Sequence, residues 1–401
     1  MKVLQVNCVY PWGSTGKIVQ ATHTELQARG HASVVYYGRG AEADEPFAYK
    51  ICSDVYAKAN NLLSRFTGLM YGGCFFSTRR LLARISREKP DVVHLHCING
   101  YFVNIYRLVT WLKERQIPTV LTLHAEFMHT GNCSHALDCD KWMTGCGHCP
   151  RLYKETRSVF FDRTAVSWKR MKKAFEGFED RLMVCAVSPW LSERAKRSPI
   201  LQGYPHRVVL NGLDTGIFCP SAAANTVRQK YAPNGEKLLL HVTPDFKNPI
   251  KGSERLLELA RRMQGQAVRF LIVGGGTQDV DLPPNMTAIG HVADPKQLAA
   301  YYAAADATVL TSQKETFSMI CAESLCCGTP VVGFRAGAPE QISLPAYSRF
   351  VEQGDVEALQ EAVQDLLLTP ISAEDIRRDA VAAYDQSRMT ADYIELYEDM
   401  L

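Results

Sequence analysis

The sequence predicts an α/β protein made of two doubly wound parallel-sheet domains in tandem, residues 1–215 and 216–401. Three observations carry that expectation. The chain has 401 residues, and at roughly 100–200 residues per domain that is room for two domains, each with a full core. Short β-branched apolar runs alternate with stretches of helical period throughout, as in parallel sheets whose strands are joined by crossover helices. A Pro-, Ala- and Asn-rich stretch at residues 219–235 interrupts the alternation and reads as a linker. With 46% hydrophobic and 22% charged residues, the composition is that of a globular chain and far from disorder.

In the first half, strands are expected at residues 3–9, 32–37, 91–96, 118–124, 182–188 and 207–213. The clearest helices are 17–28, followed by Gly30, 106–115, closed by Pro118, and 189–197, for which Ser188 is a ready N-cap. The second half repeats the scheme. Its strands are 238–242, 268–273, 286–289, 307–310 and 330–334, and its helices 253–263, 295–305, 317–327 and 356–368. A helical tail at 373–401 follows, its last helix free to pack back on the first domain. Open sheets of this kind bind ligands beyond the carboxyl ends of their strands, here in a cleft between the domains.

The net charge of +3 is a cancellation: residues 1–215 carry 29 Lys and Arg against 18 Asp and Glu, a net of +11, and residues 216–401 carry 16 against 24, a net of −8. Such asymmetry fits a first domain that faces a nucleic acid, a phospholipid surface or a phosphorylated substrate. The plainer account is an excess of solvated Lys and Arg. The stretch MKVLQVNCVYPWG reads as a first strand and not as a signal peptide, and nothing approaches the roughly 18 uninterrupted apolar residues of a membrane span. A cytoplasmic protein with reduced or metal-bound thiols is therefore expected.

Four of the 13 cysteines, Cys133, Cys139, Cys146 and Cys149, crowd into one loop, residues 129–151. Four thiolates ending in a C-x2-C pair make a competent tetrahedral site for structural zinc; free thiols or a disulfide pair are the alternatives. Residues 154–173 hold seven Lys and Arg among Phe160, Phe161, Trp168 and Met171. On a helix this is a basic amphipathic surface suited to an anionic bilayer or a lipid pyrophosphate, or else an ordinary solvated face.

The most specific chemical signal is Glu315-Thr-Phe-Ser-Met-Ile-Cys-Ala-Glu323. Glu315 follows a buried strand, and Glu323 lies about two turns on, close to the same azimuth if both belong to one helix. The backbone N–H groups of Phe317, Ser318 and Met319 at the helix start can receive a phosphate. Such an arrangement can hold a nucleotide sugar end to end, although two Glu at that spacing alone are more often a helix with one buried carboxylate.

ETFSMICAESLCCGTPVVGFRAGAPEQI, residues 315–342, resembles the signature of glycosyltransferase family 4. These are retaining enzymes of the GT-B fold, two Rossmann-like domains facing a central cleft. The resemblance implies that Glu315 contacts the transferred sugar and Glu323 the ribose, with residues 337–340 forming a loop near the donor. Lys251-Gly252 resembles the family's lysine that neutralises the donor diphosphate. Six residues earlier the family usually has Arg where this chain has Asp245, so Lys247 is a candidate for that role. Asn211-Gly-Leu-Asp214 resembles the NGID element that closes the first domain, which fixes the boundary near residue 215. His124 resembles the active-site histidine that contacts the donor sugar, whereas His94 and His96 read as core histidines. Ala125 replaces the Asp that often follows this histidine, with Glu126 next.

Gly13-Ser-Thr-Gly16-Lys17 lies between the first strand and helix, where the family places a loop against the donor phosphates and acceptor. It is not a nucleoside-triphosphatase P-loop, because Pro11 stands where the first Gly is required and Ile18 where Ser or Thr must hold magnesium. GNCSHALDCDKWMTGCGHCP, residues 131–150, resembles a loop of glycosyltransferases of colanic acid and related exopolysaccharide synthesis. The resemblance implies transfer from a UDP- or GDP-sugar to a saccharide acceptor, lipid-linked, with no cofactor and no catalytic metal. It also implies a cytoplasmic location, on the inner face of the membrane, and no nucleic-acid partner. Its rivals are an epimerase or phosphorylase of the same fold and a binding protein that lost activity.

Overall fold

The computed structural model describes residues 1–401 apart from the side chain of Glu179. It divides into two compact units, Met1–Val209 with Met389–Leu401, and Leu210–Arg388. The first unit holds β1 (Lys2–Val9), β2 (Ala32–Arg39), β3 (Ala48–Lys50), β4 (Val92–Leu95), β5 (Thr119–Leu123), β6 (Leu182–Ala186) and β7 (His206–Val208). They form one parallel sheet in the order β3-β2-β1-β4-β5-β6-β7. In β4 and β5 every residue is buried, as expected of strands covered by helices on both faces. The carboxyl-terminal segment belongs to this unit. Met389, Tyr393, Leu396 and Tyr397 lie at i, i+4, i+7 and i+8 and join Val3, Ile18, Val92 and Val120 in one core.

The second unit holds β8 (Lys237–Asp245), β9 (Val268–Gly275), β10 (Met286–Gly290), β11 (Ala307–Leu310), β12 (Val331–Phe334) and β13 (Ser348–Val351). The order is β10-β9-β8-β11-β12-β13, again all parallel. Helix Ser253–Arg262 lays Leu256, Leu259 and Ala260 on this sheet, and helix Val356–Leu368 lays Leu359, Val363 and Leu366. Each of these leucines and the valine, removed from water, contributes on the order of 1.5–3 kcal/mol.

Three stretches differ from the sequence expectation. Residues 219–235 contain helix Ala223–Tyr231, which is tied to the unit by Arg228, donating to the Ala304 carbonyl (2.7 Å) and the Asp306 carboxylate (3.0 Å). Residues 154–173 are not one basic helix. A short turn at Leu152–Thr156 gives way to a loop, and helix Thr164–Phe175 then buries Trp168, Met171, Ala174 and Phe175 in the unit. The tail is two helices, Ala373–Tyr384 and Gln386–Asp399, parted at Asp385, whose extended backbone bridges to Leu213. Among the described residues no helix is long and apolar enough to cross a membrane.

Candidate active site

In the second sheet the strand order reverses between β8 and β11, and the loops after β8, β9, β11 and β12 carry the residues singled out from the sequence. After β8 the chain makes the turn Pro249–Lys251, in which the Asn248 side chain accepts the Ile250 N–H (3.1 Å). The loop after β11 clasps this turn. Thr311 Oγ1 donates to the Lys251 carbonyl (2.9 Å), and the Gln313 N–H to that of Ile250 (2.7 Å). Gly252 has φ +70°, and a Cβ there would lie 1.9 Å from the Thr311 carbonyl oxygen, so only glycine permits the approach. The two loops bring Lys251 Nζ to 2.7 Å from Glu315 Oε1, with the side chains only 20% and 16% exposed.

Glu315 is held in turn by the loop after β12. Its N–H donates to the Ala336 carbonyl (2.9 Å), and its carbonyl accepts the Ala338 N–H (3.3 Å). The Glu340 carboxylate braces that loop by accepting the N–H groups of Ala336 (3.0 Å) and Gly337 (2.9 Å). Glu315 therefore lies off the helix, and the shared-azimuth expectation for Glu315 and Glu323 does not apply. The helix is Met319–Cys326, starting two residues late because Ser318, its N-cap, sits at φ +82°. Cys321 N–H already donates to the Ser318 carbonyl (3.2 Å), so the amides of the first turn left to a ligand are those of Met319 and Ile320. Phe317 is not one of them. It is buried and anchors the loop by an edge contact with Tyr384, centroids 6.4 Å apart.

Glu323 Oε2 accepts a hydrogen bond from the fully buried Tyr302 phenol (2.8 Å). Burial first, and the Glu323 carboxylate with it, push that phenol well above the usual range, so it stays a donor. The glycine run after β9 lies on the start of the β8 loop. Gly276 has φ +80°, and a Cβ there would come within 2.3 Å of Asp245 Oδ1 and 2.8 Å of the Phe246 nitrogen. Asp245 accepts the Lys247 N–H (3.0 Å), while the Lys247 ammonium is exposed and lies 3.9 Å from Asp279.

In the first unit, His124 follows β5 and is 9% exposed. Its Nε2 lies 3.2 Å from Nδ1 of His96, whose Nε2 is 3.3 Å from Gln5 Oε1. Gln5 Nε2 donates to the Val19 carbonyl (3.4 Å), which fixes the amide with its oxygen towards His96. With both rings neutral, His96 then carries its proton on Nε2 and accepts one from His124 Nε2–H, leaving His124 Nδ1 as an acceptor. Burial holds His124 at about 4 and His96 well below the ordinary histidine value. His94 is likewise satisfied, by the Tyr397 hydroxyl (2.6 Å) and Thr122 Oγ1 (2.7 Å). Sequence reasoning missed Gln5, His96 and Tyr302 as partners of the site because each pairing spans from 21 to 91 residues.

The loop between β1 and helix Gly13–Ala28 turns at Gly13 (φ +68°), and Gly16 packs so closely that a Cβ would lie 3.0 Å from the Pro11 carbonyl carbon. Asn7 braces the loop, donating to the Val9 carbonyl (2.8 Å) and accepting the Cys97 N–H (3.1 Å).

The cysteine loop corrects the zinc expectation. All 13 cysteines are free thiols, and among the described residues no three His, Cys, Asp or Glu side chains gather as metal ligands, so Cys133, Cys139, Cys146 and Cys149 form no cage. The loop takes its order from Glu126 instead. This fully buried carboxylate accepts Arg194 Nε (2.5 Å) and the Ala136 N–H (2.7 Å). Burial acts to raise its pKa, but His129 and Arg194 outweigh it and hold the group at about 2. Trp142 adds an apolar plug, its Nε1 donating to the Cys139 carbonyl (2.8 Å) with the Arg194 guanidinium 5.0 Å above its ring.

The family model for glycosyl transferases group 1 matches residues 224–382, and that for glycosyltransferase family 4 matches residues 15–217. Escherichia coli (strain K12) WcaC, whose name assigns it to colanic acid biosynthesis as a glycosyl transferase, is 24% identical over 100% of both chains. The GDP-mannose-dependent alpha-mannosyltransferase of Mycobacterium tuberculosis (strain CDC 1551 / Oshkosh) is 35% identical over 38% of this chain and 40% of its own. Among solved structures, Anabaena Alr3699/HepE in complex with UDP matches with a TM-score of 0.66 at 15% identity, over 100% of both chains, a likeness of fold. The chain belongs to glycosyltransferase family 4 and is a glycosyltransferase of the GT-B fold.

Proposed function

We propose that the protein transfers a hexose, with retention of anomeric configuration, from a nucleoside-diphosphate sugar to a hydroxyl of a lipid-linked saccharide in surface-polysaccharide synthesis. The carrying observation is the Lys251–Glu315 pair, 2.7 Å across, held beside the amino terminus of helix Met319–Cys326. The second unit is read as the donor domain and the first as the acceptor domain. The ammonium of Lys251 and the amides of the helix's first turn receive the diphosphate, the negative charge that grows as the sugar leaves. Glu323, oriented by the Tyr302 hydroxyl, takes the ribose hydroxyls. Glu315 and the neutral acceptor nitrogen of His124 orient the sugar hydroxyls, and Gly13, where a Cβ would meet nothing within 4 Å, leaves room for close backbone approach, while Gly16 lets the loop fold against Pro11.

No enzyme nucleophile is required. The bond from the anomeric carbon to the phosphate oxygen breaks, the acceptor oxygen bonds to that carbon from the same face, and its proton passes to the departing phosphate. Lys247 is assigned to the rim of the donor site. Cytoplasmic activity on the inner face of the membrane follows from a lipid-linked acceptor, with no nucleic-acid partner.

A thermal-shift screen of UDP- and GDP-sugars on the wild type and on Glu323→Ala tests the donor site. One donor at 100 times its Kd stabilises the wild type by about 2.7 kcal/mol and raises its Tm, and the variant responds far less. A protein that no nucleotide sugar stabilises refutes the assignment.

A further inference from the structure

Helix Asp54–Thr67 buries only Ala57 and Ser64. Its last two turns nevertheless carry Leu62, Leu63 and Phe66, all exposed and all on one side, since Phe66 stands three and four residues from the two leucines. The loop that precedes helix Thr164–Phe175 adds Val159, Phe160 and Phe161, also exposed, with Phe160 the most so at 65%.

These two groups are locked together. The Val159 N–H donates to the Arg65 carbonyl (2.9 Å), and Ser158 Oγ donates to the Phe161 carbonyl (2.7 Å). The Phe160 ring stacks on Phe66 with centroids 5.8 Å apart. Gly68, which caps the helix at φ +69°, lies so close that a Cβ would meet the Phe161 carbonyl oxygen at 2.2 Å. The aromatic cluster is thus held outward by specific hydrogen bonds and a required glycine. A contiguous apolar patch presented in this way marks an interaction surface. Beside it a cavity of about 120 Å³, lined by Leu63, Thr67, Leu69, Tyr71, Tyr101 and Val103 among others, extends the apolar surface into the unit.

The charges around the patch identify what covers it. Arg65 supplies the carbonyl of the junction, Arg157 is exposed two residues before its donor Val159, and the Arg163 guanidinium lies 5.5 Å from the Phe161 ring centre. Among the described residues none of the three is ion-paired with a carboxylate, and Arg65 Nε is buried without a partner. The nearest acid in the loop, Asp162, is already engaged by the N–H groups of Cys149 (2.6 Å) and Thr164 (3.0 Å). An anionic bilayer satisfies both halves of this surface at once, taking the rings into its interface and offering phosphates to the guanidiniums.

We propose that Leu62, Leu63, Phe66, Phe160 and Phe161, ringed by Arg65, Arg157 and Arg163, dock the first unit on an anionic phospholipid surface. The surface shares Arg157, Phe160, Phe161 and Arg163 with the basic stretch 154–173 read from the sequence, but these residues stand on the loop, whereas the helix that follows buries Trp168 and Met171. The proposal deepens, and rests on, the reading of a lipid-linked acceptor, yet it is tested separately from it.

The full-length protein is floated with phosphatidylglycerol-containing vesicles and with pure phosphatidylcholine vesicles. The wild type binds the anionic vesicles preferentially. A Phe160→Ser/Phe161→Ser variant loses about tenfold or more in partitioning to both. An Arg65→Gln/Arg163→Gln variant loses about 30-fold on anionic vesicles and with it most of the preference. Both variants keep the wild-type melting temperature and its shift with donor, which shows that they fold. Wild-type indifference to lipid charge overturns the proposal, as does undiminished binding by either variant. So does a dimer in sedimentation that the aromatic variant dissociates without any change in vesicle binding. Donor stabilisation with no vesicle binding removes the docking surface alone; patch-dependent binding with no donor stabilisation removes the transfer reading alone.

Discussion

The exchange Glu126→Gln tests what orders the long loop after β5. Glu126 is fully buried and its partner Arg194 only 12% exposed, so the variant leaves a guanidinium uncompensated where water scarcely reaches. Removing one partner of a buried pair costs about 3–5 kcal/mol. The lower end applies here, because the new amide still accepts the Ala136 N–H, and Arg194 keeps its place 5.0 Å over both Trp142 and Trp190. For a unit of this size about 2–4 °C accompanies each kcal/mol, so scanning calorimetry should show the transition of the first unit falling by about 6–12 °C. The effect depends on pH with a definite sign. A carboxylate held at about 2 contributes its full stability above the unfolded value near 4.5, and loses it as pH falls from there through 2. The gap between wild type and variant therefore closes in that window. A Glu126→Leu/Arg194→Met double variant recovers part of the loss, since an apolar pair strands no charge and leaves only the Ala136 N–H without its acceptor. A fall of less than about 2 °C, or a double variant worse than both singles added, would falsify the argument that this pair organises the loop.

Tyr302→Phe removes the donor to Glu323 while keeping the ring; a hydrogen bond to a charged group is worth about 1.5–3 kcal/mol, so donor affinity should fall about tenfold or more in calorimetry, with the turnover of bound donor little changed. His124, held at about 4, is neutral across the working range, so kcat/KM should show no histidine limb between pH 6 and 8; a limb near 6.5 counts against its burial. Because its pKa is lowered, this ring contributes stability that is full above about 6.5 and lost as pH falls through 4. Nitrogen-15 spectra of the imidazoles should show His124 protonated on Nε2, and Gln5→Leu should mix the tautomers; a pure Nδ1–H form contradicts the relay. Incubation with a strong chelator should leave the melting temperature unchanged; a large fall with release of zinc would reinstate the cysteine cage.

The sheets were legible because parallel strands buried on both faces must be apolar runs, and all five strands expected in the second half lie within or against β8 to β12. The edge strands β3 and β13 were not, because each is only partly buried and mixes polar residues into its run, AYK and SRFV, so neither reads as an apolar stretch. Helix Asp54–Thr67 escaped for a different reason. Periodicity finds a helix by the face it buries, and this one keeps Leu62, Leu63 and Phe66 outside. The cysteine spacing was a sound metal pattern, but ligand geometry depends on where four backbones converge, and here a buried carboxylate 68 residues from its arginine organises the loop instead. At the candidate site the residue types were legible and their contacts were not. The Lys251–Glu315 pairing, 64 residues apart, depends on Gly252 lying against Thr311, which no local pattern records.

The charge asymmetry takes on meaning at this scale. A donor diphosphate is an anion, yet it is assigned to the half of the chain with net charge −8. Exposed charges act over a Debye length of about 8 Å at physiological salt, so the net figure matters little to a phosphate seated against Lys251. That ammonium is mostly withdrawn from water, where each interaction is screened less and counts for more. It is also already matched by Glu315, so an arriving phosphate competes for a cation fixed in position and need not order a free side chain, while a sugar hydroxyl can donate to the carboxylate so released. The +11 of residues 1–215 works the other way. A bilayer is an extended anion that meets many exposed cations at once, each contributing about 1 kcal/mol near the surface, and there the sum over a face matters more than any single pair. Raising salt should therefore weaken vesicle binding steeply and donor binding only slightly, and equal sensitivity of the two in parallel titrations would show that the donor phosphates are met by exposed charge and not by the Lys251 site.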